Sequence, residues 1–181
     1  MTRRLQDRFE SHELKFDGRI VKGYAVKLRT ETGAIVDRDY LHYPGAAVIL
    51  PILPNGDIVL IRNRRFAVDE HLLELPAGTL EAGEDPAICA ARELTEETGY
   101  TASSVQPLGA FYSCPGSSDE MLHAFLATDL VAGEQALEVH EEIAVETFDP
   151  DQVRAMCPDG TIHDGKTLAT LGLYWASKGE L

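Results

Sequence analysis

Three glutamates within five positions, Glu93, Glu96 and Glu97, carry the clearest chemistry in the chain. On a helix turning 100° per residue they fall within an arc of roughly 100° on one face. Leu94, Ala87, Ala91 and Thr98 take the opposite side, and Arg92 stands beside Glu96. Like charges this close on a helix destabilise it by about 0.2–0.5 kcal/mol per pair. A hard divalent cation such as Mg2+ or Mn2+ removes that repulsion, and clustered carboxylate oxygens are the donors it prefers. Taken alone, the three glutamates also suit a plain solvated acidic face.

A helix must hold those carboxylates, and the sequence supplies its ends. Asp85-Pro86 gives a carboxylate cap with proline in the first turn, and Gly99 is a good residue to stop on. A glycine-rich loop, Pro76 to Glu84, leads into it. Ahead of the loop, Gly45 to Leu53 (GAAVILPIL) reads as a buried strand, Pro54 to Asp57 as a tight turn, and Ile58 to Asn63 as the returning strand. His71 to Leu75 is short and extended. Beyond the helix, Ser104 to Tyr112, Met121 to Asp129 and Glu141 to Phe148 are strand candidates. Asp149 to Met156 reads as a short helix and Lys166 to Ser177 as a terminal amphipathic one, where Tyr174 and Trp175 are packing residues. The pattern predicts an α/β sandwich on a mixed sheet, with the main domain over residues 41–181. Residues 1–40 form a separate β arm, a hairpin of Ile20–Leu28 and Ala34–Tyr40 around the turn at Glu31-Thr32-Gly33. A hairpin has little core of its own, so the arm must pack on the main domain or on a second chain.

Composition narrows the function classes. With 181 residues, 44% of them apolar, the chain can bury a core without disulfides. Its 16 Lys plus Arg against 30 Asp plus Glu leave a formal net charge of −14, the wrong sign for nucleic acid or an anionic membrane. A phosphate-bearing substrate would be repelled at long range, so local cations or a metal must hold it. The three cysteines, Cys89, Cys114 and Cys157, make neither a CxxC pair nor a zinc pattern and read as reduced thiols. MTRRLQDRFESHE has no signal core, and no apolar run approaches a membrane span. A soluble, cytoplasmic protein is predicted. The histidines show no ligand spacing: His123 reads as a core residue, and His140 adjoins a candidate base it could tune.

The segment Gly78 to Tyr100, GTLEAGEDPAICAARELTEETGY, resembles the Nudix box, GX5EX7REUXEEXGU with U a bulky apolar residue. Gly78, Glu84, Arg92, Glu93, Leu94, Glu96, Glu97 and Gly99 all fit its spacing, with Tyr100 as an aromatic at the last position. The resemblance implies a Nudix-type α/β/α sandwich and metal-dependent pyrophosphohydrolase activity, with Mg2+ or, in its place, Mn2+. It makes Glu93 and Glu97 the principal metal ligands, with Glu96 close by and the carbonyl of Ala77 as another. Glu84 would pair with Arg92 and brace the loop on the helix, and Gly78 would permit a backbone shape that a Cβ obstructs.

The flanks HYPGAAVILPIL, IRNRRFAVDEHLLELPAGTLEAGEDP and FYSCPGSSDEMLHAFLA resemble bacterial ADP-ribose pyrophosphatases, where a proline about fifteen residues past the box, here Pro115, is a mark. That likeness implies hydrolysis of ADP-ribose or a related nucleoside diphosphate sugar, and a homodimer built through the N-terminal arm. Arg65 would meet the diphosphate, Arg38 the adenine or its ribose, Ile20 would face the base, and Glu120 would bond the terminal ribose. A base or metal-binding carboxylate is implied in the loop before the late strand, where Glu141 matches best. The chain has Val139 where many members carry an acid, so the base stays open among Glu141, Glu142, Glu138 and Glu96. GDP-mannose and ADP-glucose hydrolases share much of the pattern. A non-catalytic ligand sensor is the remaining alternative, against which the intact box argues.

Overall fold

A computed structural model describes residues 8–139 and 141–180 of the chain. They divide into two compact units: the chain up to Gly45 together with Tyr112–Met121, and the remainder, Ala46–Phe111 with the segment from Leu122 onward. The first unit takes in the described part of the expected arm and, with it, a distant loop.

The first unit is built on three antiparallel strands in the order β1 (Phe9–Asp17), β2 (Lys22–Arg29), β3 (Ile35–His42). The expected hairpin is β2 and β3, turning at Gly33 with φ 84°. The expectation of a hairpin alone is corrected by β1, which pairs along β2. The reason is physical: FESHELKFD is exposed at all but its first residue, so neither face imposes an apolar alternation that a sequence could reveal. Ile20, expected to begin a strand, lies in the turn between β1 and β2. Tyr112–Met121 joins this unit through Leu41, whose N–H donates to the Ser117 carbonyl at 2.8 Å. Asp119 adds three bonds. It accepts from the Tyr40 hydroxyl at 2.5 Å and the Tyr43 N–H at 3.1 Å, and its other contact is His42 Nδ1 at 2.8 Å.

The second unit carries the α/β/α architecture. A four-stranded mixed sheet has the order β7 (Ala77–Thr79), β4 (Ala46–Pro51), β9 (Met121–Ala132), β8 (Tyr100–Tyr112). Strands β4 and β9 run parallel, while β4 and β7 are antiparallel. A second, antiparallel sheet has the order β10 (Ile143–Phe148), β5 (Ile58–Arg65), β6 (Glu70–Glu74). Helix α1 (Pro86–Thr98) packs with Ala47, Ile49, Val59 and Phe125 in one core. Helices α2 (Pro150–Met156) and α3 (Gly165–Lys178) pack with Val48, Leu50, Leu60 and Leu73 in the other. Successive residues of β4 thus serve opposite cores, which is why its sequence is a continuous apolar run rather than an alternating one. Trp175 lies in the second core with Tyr174 packed at its edge. Strand β8 begins directly after the helix, ahead of the expected Ser104, and the glycine-rich loop contains the short strand β7.

Candidate active site

Helix α1 is delimited as its sequence dictates. The Asp85 carboxylate accepts the Ala87 N–H at 2.8 Å, and Gly99 closes the helix at φ 74°, where a Cβ would meet the Gly133 carbonyl at 2.9 Å. What the helix buries is less ordinary. Cys89, Ala90 and Leu94 are fully buried, and Glu93 and Glu97 are buried beside them, at 9% and 3% exposure. Ala91, expected on the apolar side, is exposed instead. The buried stripe is rotated so that two carboxylates share it with Leu94.

Burying a carboxylate without a cation is costly, and the site shows that cost. Glu97 accepts the Ala77 N–H at 2.8 Å and has no cation within ion-pairing distance among the described residues. Burial pushes its carboxyl up to about 8. The Ala77 N–H opposes the shift, and the charges of Glu93 and Glu141 add to it. Burial raises Glu93 too, against the opposing bond from Arg92, with Glu96 and Glu141 reinforcing the rise. Glu141 therefore lies within electrostatic reach of both carboxylates, and its own carboxylate accepts the Glu138 N–H at 2.8 Å. Glu142 is exposed, with its backbone carbonyl facing the Arg64 N–H at 3.4 Å. Glu96 is 40% exposed and bonded to Arg92 at 3.0 Å. Among the described residues no three acidic, His or Cys side chains already converge as a ligand cage. Glu93 accepts from Arg92 Nη1 at 2.6 Å.

The loop meets the helix at two points. A Cβ on Gly78 would stand 1.8 Å from the Glu93 carboxyl carbon, so only glycine lets this carboxylate lie against the loop. Arg92 donates to Glu84 through Nε at 3.0 Å and Nη2 at 3.1 Å, joining loop to helix, and the Arg92 bond holds Glu84 down at about 2. Cys89 lies beneath, its thiol pushed up to about 12 by burial.

The three arginines of β5 have separate partners. Arg62 forks onto Glu146 at 2.6 and 3.2 Å, Arg64 pairs with Asp69, and Arg65 forks onto Glu74 at 2.8 and 2.5 Å. Arg65 is within electrostatic reach of Glu97. Glu74 and its second cation, Lys166, were absent from the residues singled out by sequence. The signal was a charge set between two leucines, Leu73 and Leu75.

Ala77, Gly78, Glu84, Arg92, Glu93, Glu96, Glu97, Glu141, Glu142 and Arg65 thus all belong to the second unit. Ile20, Arg38, Pro115 and Glu120 belong to the first. Arg38 is exposed on β3, with Nη1 on the Asp37 carbonyl at 2.8 Å, and Ile20 is 40% exposed. Pro115 is exposed and Glu120 half-buried in the loop tied to β3. His123 is half-buried on β9, and His140 lies outside the described residues.

Comparison with known proteins agrees with this geometry. The NUDIX domain model matches residues 42–171. The ADP-ribose pyrophosphatase of Bacillus subtilis (strain 168) is 33% identical over 165 residues, covering 90% of this chain and 89% of that protein. The GDP-mannose pyrophosphatase of Yersinia pestis (strain Pestoides F) is 33% identical over 177 residues, covering 90% and 83%. In fold, the crystal structure of an ADP compounds hydrolase matches with a TM-score of 0.80 over 96% of each chain, at 20% identity. With its box complete and the family match spanning most of its length, the chain belongs to the Nudix family.

Proposed function

We propose that the chain is a pyrophosphohydrolase that cleaves ADP-ribose to AMP and ribose 5-phosphate. The observation that carries this reading is the pair of buried carboxylates, Glu93 and Glu97, on the Nudix helix against Gly78. The donors fit a hard divalent cation, Mg2+ or Mn2+: two buried carboxylates, Glu96 and Glu141 within their electrostatic reach, and the Ala77 carbonyl at the loop's bend. Such a cation would neutralise the diphosphate oxygens and acidify a water. Glu141, with Glu142, Glu138 and Glu96 as rivals, accepts the proton as that water attacks phosphorus and the bridging P–O bond breaks. Arg65 meets the diphosphate with a permanently charged fork. Arg38 and Ile20 take the adenosine end and Glu120 the terminal ribose, with Pro115 shaping the loop. Gly78 admits Glu93, and Glu84 with Arg92 braces loop to helix.

The main domain is residues 41–181 and the arm, residues 1–40, makes a homodimer. Support comes from the apolar side chains the arm exposes: Leu14 at 44%, Phe16 at 60% and Ile35 at 52%. The net charge of −14 argues against nucleic acid and anionic membrane as partners. Among the described residues no helix is long and apolar enough to cross a membrane. The proposed compartment is the cytoplasm, with its three free cysteines reduced.

The relative named GDP-mannose pyrophosphatase favours a second reading, in which the substrate is another nucleoside diphosphate sugar. A turnover screen of ADP-ribose, ADP-glucose, GDP-mannose and dNTPs with Mg2+ separates the two. EDTA abolishes hydrolysis and Mg2+ or Mn2+ restores it. Undiminished turnover in chelator would sink the mechanism, and no turnover of any of them with metal present would favour a ligand sensor.

A further inference from the structure

Glu74 is the most thoroughly buried acid outside α1, its side chain at 0% exposure between Leu73 and Leu75. A carboxylate there has given up its hydration and needs charge and hydrogen bonds in return. Two cations supply them. Arg65 donates Nε to one oxygen at 2.8 Å and Nη2 to the other at 2.5 Å, and Lys166 Nζ donates to Oε2. Lys166 is shared with Asp164 at 3.0 Å. Asp164 caps α3 by accepting the Thr167 N–H at 3.0 Å and its hydroxyl at 2.6 Å. The Thr167 hydroxyl oxygen in turn accepts the Leu75 N–H at 2.8 Å, returning to the residue after Glu74. Glu74, Lys166, Asp164, Thr167 and Leu75 close into a ring across β6 and the start of α3, and Arg65 on β5 joins it through Glu74.

Of the two cations on Glu74, Arg65 is only partly paired. Arg65 Nη1 has no hydrogen-bond partner among the described residues, and the side chain is 40% exposed. A two-point fork fixes the plane of a guanidinium as well as its position. With the Nε–Nη2 edge held from the buried side, the remaining donors point away from Glu74. A buried ion pair adds little stability over well-packed apolar residues, so the consequence of this arrangement is orientation.

We propose that Glu74 is a positioning residue for Arg65, gripping one edge of the guanidinium so that the other meets the substrate diphosphate already oriented. Lys166 places a second cation on the same buried carboxylate. This rests on the reading above that Arg65 meets the diphosphate.

The test is a double-mutant cycle on the full chain with ADP-ribose and Mn2+, with Mn2+ affinity measured separately by electron paramagnetic resonance. Arg65→Ala lowers kcat/KM by about ten- to a hundredfold, and Glu74→Gln by about tenfold, with Mn2+ affinity within about twofold of wild type in each. The double variant is no worse than Arg65→Ala to within about twofold, because Glu74 acts only through Arg65. If Arg65→Ala leaves kcat/KM unchanged, the diphosphate role of Arg65 fails and the positioning role with it. If Arg65→Ala is damaging but Glu74→Gln is silent, or its loss multiplies with that of Arg65→Ala, Arg65 keeps its role and Glu74 loses the one proposed. Should Glu74→Gln not fold, Glu74→Asp, which keeps the buried charge but shortens its reach, runs the same cycle to the same criteria.

Discussion

The second unit buries three of its acids, while the paired acids of the arm lie on the surface. In the second unit Glu74, Glu93 and Glu97 are all buried. In the arm the ion pairs Lys15–Glu13, Lys22–Asp17, Lys27–Asp37 and Arg29–Glu10 all lie on the surface, and it is apolar side chains such as Phe16 that are exposed beside them. Exposed pairs contribute about 0–1 kcal/mol each, whereas a charge buried without its partner can cost several kcal/mol. Glu97 carries that cost openly: burial pushes its carboxyl up to about 8. The arm carries no such stored cost, and its surface is suited to contact rather than to reaction.

The sharpest way to break this contrast is Glu97→Gln. It keeps the shape and removes the buried charge, so the rate falls by roughly a hundredfold or more while the metal-free melting temperature stays equal or rises. Glu13→Gln, the same change on the arm, leaves both within error. A Glu97→Gln rate within a few-fold of wild type would mean that Glu97 is not a principal ligand. The next largest contrast lies within β5. Arg64, paired with Asp69, tolerates alanine to within about threefold in kcat/KM, whereas Arg65→Ala costs about ten- to a hundredfold. The reverse order would mean the wrong arginine has been assigned to the diphosphate.

The same contrast decides what a sequence can reveal. The helix with its caps, the apolar run of β4 and the terminal helix were legible because burial imposes a pattern on them. The pairing of Glu84 with Arg92 could be expected only through the box, since eight positions separate them with a helix start between. Strand β1 was not legible, because a strand exposed on both faces places no demand on its side chains. Glu74 was overlooked for a different reason: its partners come from Arg65 on a neighbouring strand and Lys166 on α3, so its role exists only after folding. That α1 buries Glu93 and Glu97 rather than Ala91 also escaped a reading of helical faces by hydrophobicity, which ranks alanine as the inward residue.

If the arm is a contact surface, charging its exposed apolar residues should disturb assembly and nothing else. Phe16→Glu, at a side chain 60% exposed in the single chain, weakens the homodimer by about tenfold or more in light scattering across micromolar concentrations. Mn2+ affinity at the box is unchanged. A wild-type chain that is monomeric at those concentrations would refute the dimer.

The smallest expected effect separates two kinds of acid inside the second unit. Glu84 is paired where Glu97 is not: Arg92 grips it, with help from the Glu81 N–H, and holds its carboxyl down at about 2 against an ordinary 4.5. The sign follows from linkage. A carboxyl whose folded value lies below its unfolded one contributes stability that is present above 4.5 and is lost as pH falls from 4.5 toward 2. Glu84→Gln cannot titrate and leaves Arg92 short of a charged partner, so it melts below wild type at neutral pH by a few degrees. The gap between the two proteins should hold constant down to about pH 5 and then close as the wild type loses its ion pair. Taking the difference between them cancels the other carboxyls that titrate over the same range. A gap that persists unchanged at the acid end would mean that the shape of Glu84 rather than its charge braces the loop, and an absent gap at neutral pH would remove the bracing role altogether.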